Sequence, residues 1–224
     1  MTYQEIIKKL KSQKNQRNID GMARFGIDSK TAIGIPIPLV RKMAKEIKKE
    51  NKDLHSLADK LWNTNIHEAK LLAGMIDNPK EVTEKQMDEW ASQFYSWDVC
   101  DQTCMNLFDK VPIAYIKAKE WAGKKEEFYK RAGFALMAVL AWHDKKTNDE
   151  QFLEFFPILK REATDERNYV KKAVNWAIRQ IGKNRPTLRK KTIKLSEDIL
   201  KTYPDSKAAH FIASDAIREL SRFN

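Results

Sequence analysis

The apolar residues of this sequence recur at helical spacing from one end to the other, and that single feature removes most folds from consideration. Ile6, Ile7 and Leu10 form an i, i+1, i+4 face; Leu39, Val40, Met43 and Ile47 continue it, as do Leu54, Leu57, Ala58 and Leu61. No segment alternates as a half-buried strand must. Helix breaks fall at Asp77-Asn78-Pro79, Lys110-Val111-Pro112, His143 to Asn148, Asn184-Arg185-Pro186 and Tyr203-Pro204-Asp205. Pro112, Pro186 and Pro204 stand where a first helical turn would begin.

These breaks divide the chain into helices that pair, the more apolar member of each pair beginning near Ile66, Asp98, Phe128, Asn168 and Ser206. Their spacing of roughly 30 to 40 residues is the period of a helical-hairpin solenoid. A loose internal likeness accompanies it. Glu68-Ala69-Lys70-Leu71-Leu72-Ala73, Lys130-Arg131-Ala132-Gly133-Phe134-Ala135 and Lys171-Lys172-Ala173-Val174-Asn175-Trp176 each set small residues between charged and bulky apolar ones. Small residues let an inner helix pack closely, and stacked pairs curve around a long concave face. The expectation is an all-α superhelix over residues 1–224 as one domain, with a globular all-α bundle as the alternative.

Hydrophobic residues make up 42% of the chain, enough for a continuous core, which excludes a disordered tail. No apolar run approaches the ~18 residues of a membrane span. Met1 to Leu10 is amphipathic and charged and reads as mature structure rather than a signal peptide. Cys100 and Cys104 are the only cysteines, which fits a reducing cytoplasm and no disulfide framework. Without a further Cys or His pair at zinc spacing they read as packing residues, and no metal site is expected.

Lys and Arg number 42 against 31 Asp and Glu, a net charge of +11. Charge of this sign favours a polyanion, nucleic acid before an anionic membrane. The basic stretches around Arg41 and around Lys117 are diluted by glutamates. The one containing Lys183, Arg185, Arg189, Lys190, Lys191 and Lys194 holds no acid. Such a surface binds phosphates with strong salt dependence and no sequence preference.

The segment with chemical content is Ser96-Trp97-Asp98-Val99-Cys100-Asp101. Ser96 is placed to cap a helix, and Asp98 in the first turn suits the helix dipole. Asp101 lies beyond the capping positions, where Asp is a poor helix former. Trp97 and Asp101, at i and i+4, put an indole and a carboxylate on one side of the helix. Trp176 lies on a second inner helix with Arg179 about a turn on, and Arg131 opens the helix between them. Taken singly, each Trp is also a natural core residue, and Asp101 could pair with a lysine.

At these residues the chain resembles the AlkD-like DNA alkylation repair family, the HEAT-like-repeat alkylpurine DNA glycosylases. The resemblance runs over nearly the whole length. It includes Phe25-Gly26-Ile27, Gly34-Ile35-Pro36-Ile37-Pro38-Leu39-Val40-Arg41, Trp97-Asp98-Val99-Cys100-Asp101, Lys130-Arg131-Ala132 and Lys172-Ala173-Val174-Asn175-Trp176-Ala177-Ile178-Arg179. It implies a HEAT-like-repeat fold and a cofactor-free enzyme that hydrolyses the N-glycosidic bond of cationic N3- and N7-alkylpurines. In that reading Asp101 is the catalytic carboxylate, Trp97 and Trp176 flank the damaged nucleotide, and Arg131 and Arg179 hold the DNA. With them go the basic positions Lys183, Arg185, Arg189 and Lys190. The family recognises the lesion through sugar and backbone, without a base-reading pocket. The expected partner is duplex DNA carrying alkylated purines, and the expected state a cytoplasmic monomer. Two other classes stand beside this one. The first is a non-catalytic binder of distorted or branched DNA, since some relatives lack the catalytic Asp and the aromatics. The second is a protein-interaction scaffold of HEAT type.

Overall fold

The structure is a computed structural model that describes residues 1–223. Among the described residues it holds fourteen α-helices, a few short 3-10 turns and no strand. The chain divides into two compact units, Met1–Val111 and a second that begins at Pro112.

The first unit contains α1 (Tyr3–Ser12), α2 (Gln16–Met22), α3 (Ile37–Glu50), α4 (Leu54–Trp62), α5 (His67–Ile76), α6 (Glu84–Ser92) and α7 (Trp97–Asn106). α5 is its centre, packed by α3, α4 and α7. Every residue of α5 except Lys70 is buried. A Cβ at Gly74 would stand 3.1 Å from Thr103 Oγ1, so the missing side chain is what lets α5 and α7 approach. Trp62 stacks on Trp90 with centroids 4.0 Å apart and meets Phe94 edge-on, closing the base of the unit.

The second unit contains α8 (Ala114–Trp121), α9 (Glu127–His143), α10 (Asp149–Leu153), α11 (Phe156–Arg161), α12 (Asn168–Asn184), α13 (Arg189–Thr202) and α14 (Lys207–Leu220). α9 and α12 pack on each other at its centre. α8 covers α9, α14 covers α12, and α13 backs α14. Twelve of the seventeen α9 residues are buried, Lys130 and Arg131 among them, as in a helix enclosed by neighbours. A Cβ on Gly133 would come within 2.9 Å of the Ala118 carbonyl oxygen, so α8 and α9 touch through their backbones.

The helices expected near Ile66, Asp98, Phe128, Asn168 and Ser206 begin at His67, Trp97, Glu127, Asn168 and Lys207, and the paired-helix reading holds. The prolines need correction. Pro186 opens a 3-10 turn, and Pro112 and Pro204 lie two and three residues ahead of α8 and α14. At α14 the cap is Ser206, whose hydroxyl accepts from the Ala209 N–H at 3.1 Å. Among the described residues no helix is long and apolar enough to cross a membrane.

Candidate functional site

α7 carries the candidate site residues of the first unit. Ser96 has extended N-cap geometry, but its hydroxyl caps nothing: it donates instead to Asp98 Oδ1 at 2.5 Å. Ser96 thus holds the N-cap position as expected, but its side chain makes no cap hydrogen bond, and Asp98 Oδ1 accepts both its proton and the Val99 N–H. Trp97 is half-buried, and its indole N–H donates to the Phe25 carbonyl at 3.0 Å, which sets the ring's orientation. Asp101 follows one turn later on the same line of the helix. It is 8% exposed, covered except for a small opening. Cys100 and Cys104 are fully buried beside it. Burial, the Cys100 contact and the negative charge of Asp101 push the Cys104 thiol well above its usual range, so it stays an inert packing group.

Beneath α7 lies a buried polar network that the sequence reading did not isolate. Glu68, 1% exposed, accepts the backbone N–H groups of Ile33, Gly34 and Ile35 at 2.8, 2.6 and 3.1 Å. This explains the Gly34-Ile35-Pro36 segment: the amides converge on one carboxylate only because Gly34 sits at φ +84°. Next to Glu68, His67 Nε2 faces Asp98 Oδ2 at 2.8 Å and Nδ1 faces the Tyr95 hydroxyl at 2.9 Å. Burial would raise the Asp98 carboxyl, but the hydrogen bonds from His67, Ser96 and the Val99 N–H outweigh it and hold it below the usual range. Burial pushes the Tyr95 phenol up to about 12. A cavity of about 250 Å³ opens here, and its polar walls, among them Glu68, His67 and Asp98, are already hydrogen-bonded within the fold. The signal for Glu68 was a carboxylate at the start of a helix whose later residues, Leu71–Ile76, are all apolar or glycine.

In the second unit, Trp176 is half-buried on α12, and its indole nitrogen has no hydrogen-bond partner among the described residues. It belongs to a solvent-facing stripe of Lys172, Trp176, Arg179 and Lys183. Lys172 is exposed and unpaired among the described residues, so the structure adds it to the basic groups beside Trp176. Arg179 pairs with Glu219 and lies 3.6 Å from Asp215, while Lys183 pairs with Glu219 at 2.8 Å. Arg131 is 7% exposed and donates to the Tyr169 carbonyl at 2.6 Å, tying α9 to α12. Arg185 is buried; it donates to the Thr147 and Asp144 carbonyls at 2.9 and 2.5 Å and lies over the Phe152 ring. Arg189 donates to the carbonyls of Gly182 and Phe223. Lys190 is exposed with no ion-pair partner among the described residues. Half of the acid-free basic run, Lys183, Arg185 and Arg189, is thus taken up by acids and carbonyls brought in mainly from distant segments, while Lys190, Lys191 and Lys194 stay exposed.

Paired helices packed through small residues define a HEAT-like-repeat protein. The chain belongs to the family described as "DNA alkylation repair enzyme", whose sequence profile matches residues 6–220. Its fold is similar to that of a solved structure described as "A new family of proteins related to the HEAT-like repeat DNA glycosylases with affinity for branched DNA structures". The two share 20% identity at a TM-score of 0.78, over 89% of this chain and 83% of that one. A comparison with curated protein sequences finds no match.

Proposed function

We propose that this protein is a monomeric DNA glycosylase that releases cationic N3- and N7-alkylpurines from duplex DNA, with Asp101 as the catalytic carboxylate. The observation that carries the reading is Asp101 itself: a carboxylate held almost wholly out of water, one turn from an indole whose orientation a backbone hydrogen bond sets. Alkylation leaves a positive charge on the purine. Heterolysis of the C1′–N bond sends the bonding electrons into the base, neutralises it, and leaves an oxocarbenium-like sugar. An anionic oxygen near C1′ stabilises that cation and orients the water that adds there. At ~4 Å and an effective dielectric near 20 the attraction is about 4 kcal/mol. That corresponds to about a thousandfold in rate, an upper figure because the substrate is itself cationic. The indole faces of Trp97 and Trp176 add roughly 0.5–2 kcal/mol each toward cationic rather than neutral groups.

In this reading the exposed cations Lys172 and Lys190 take phosphates. Arg179 and Lys183 contribute through side chains that they share with Asp215 and Glu219. Arg131, Arg185 and Arg189 shape the helices from within. The polar groups around Glu68 are already engaged internally, which favours recognition through sugar and backbone over a base-reading pocket. The test is release of 7-methylguanine from methylated duplex DNA. Asp101→Asn should bind the duplex as the native chain does and release base about a hundredfold or more slowly. Equal release by both proteins refutes the role of Asp101.

The branched-DNA affinity of the structural relative supports a second reading, a binder of junctions without chemistry. It predicts tighter binding to a three-way junction than to a matched duplex, and no base release by the native chain.

A further inference from the structure

α11 and α13 flank an open groove of about 460 Å³ that combines apolar and cationic side chains. Its floor is apolar: Leu153, Phe156, Pro157 and Leu195. Its rim is cationic: Lys160 from α11, and Lys191 and Lys194 from α13. On α13 the groove stripe is Lys191, Lys194, Leu195 and Asp198, an i, i+3, i+4, i+7 line, while Thr192, Ser196 and Ile199 are buried on the other side. None of the three lysines has an ion-pair partner among the described residues, although Asp198 lies one turn from Lys194. Of the other lysines of this unit, Lys117, Lys119, Lys130 and Lys183 are paired with acids, whereas Lys172 and Lys190 are not.

We propose that this groove docks an acidic peptide segment of a partner protein, one in which aspartates or glutamates lie next to a bulky apolar residue. The lysine rim matches the acids, with Asp198 leaving a net excess of positive charge. The floor matches the apolar anchor. A duplex phosphate backbone would satisfy the rim and leave the floor uncovered, because its base faces are stacked inside the double helix. An apolar partner surface would cover the floor and leave three cations partly desolvated, which costs free energy. An acidic segment with an apolar anchor answers both observations. Lys191 and Lys194 are thereby assigned to a protein partner and separated from the DNA-facing Lys172 and Lys190. This proposal does not depend on the glycosylase reading.

The experiment is fluorescence anisotropy on the full chain with a fluorescein-labelled peptide in which a run of aspartates precedes a Leu-Pro-Phe end. Saturable binding in about the micromolar range is expected, typical of a small docked anchor. Replacing the aspartates by asparagine, or the terminal Phe by Ser, should each weaken it about tenfold. The double charge reversal Lys191→Glu with Lys194→Glu changes only exposed side chains and should weaken it by about tenfold or more. Phe156→Ala should do so from the apolar side. Two outcomes overturn the proposal: no saturable binding, or binding that the charge reversal leaves unchanged. A charge reversal that weakens duplex binding while peptide affinity stays at the native value also overturns it, since the lysines would then belong to the DNA surface.

Discussion

The two units treat buried charge in opposite ways. In the first, among the described residues, the buried charged side chains are acids, Glu68, Asp77, Asp98 and Asp101, with His67 among them. In the second they are bases, Lys117, Lys130, Arg131 and Arg185. The acids are satisfied by backbone N–H groups and histidines, as Glu68 is by residues 33–35 and Asp77 by His55. The bases are satisfied by carbonyls and surface acids, as Arg131 is by Tyr169 and Lys130 by Glu162 and Asp165. Net charge divides the same way. Residues 1–111 hold 18 Lys and Arg against 16 Asp and Glu, whereas residues 112–224 hold 24 against 15. The half that is nearly neutral keeps its carboxylates in low dielectric, the setting that the role proposed for Asp101 requires. The half that is strongly basic carries the surplus charge that would favour a polyanion in the proposed reading.

The sharpest way to break this comparison is to remove one buried charge from each half. Glu68→Ala strands three backbone N–H groups and should lower stability by about 3–5 kcal/mol in urea denaturation. Arg185→Ala strands two carbonyls and a ring contact and should cost about 2–4 kcal/mol. It should leave the salt dependence of duplex binding unchanged. If Arg185→Ala instead flattens that salt dependence at native stability, the residue is a phosphate contact and not an internal tie.

A smaller effect separates free cations from paired ones. Lys172→Ala and Lys190→Ala should each reduce the slope of log affinity against log salt by about 0.9, with stability unaltered. Slopes that match the native chain would remove both residues from the DNA surface.

The smallest effect concerns acid. Asp165 and Asp144 both titrate at about 2 in the folded chain. Burial opposes this, but hydrogen bonds from Arg167 and Lys130 to Asp165, and from Thr147 and Lys146 to Asp144, outweigh it. A carboxyl lowered on folding adds stability above its unfolded value near 4, and that stability is lost as pH falls toward 2. Thermal melts should therefore drop between about pH 4 and pH 2. Asp165→Asn should melt lower at neutral pH and lose part of that dependence. In the first unit the lowered Asp98 and the burial-raised Asp77 act in opposite senses. An Asp165→Asn melt with the native pH dependence would contradict the assignment.

Much of this architecture was readable in the residues. Helical spacing is set within one or two turns, so the helix starts at His67, Trp97, Glu127, Asn168 and Lys207 came out within a residue of expectation. The i, i+4 relation of Trp97 and Asp101 is likewise local, and α7 realises it. What escaped was everything that depends on a distant partner. The basic run after Arg179 looked unopposed because Glu219, which pairs with Lys183, and the Asp144 carbonyl, which takes Arg185, lie far along the chain.

The amino-acid order alone determined that the chain is helical, where it breaks, and which helix sets a tryptophan beside an aspartate, since those choices follow from backbone propensity and periodicity. Only tertiary packing decided which charges are free. A lysine becomes available, or an arginine internal, according to the carbonyl or carboxylate that another helix brings within about 3 Å, and no local rule encodes that approach.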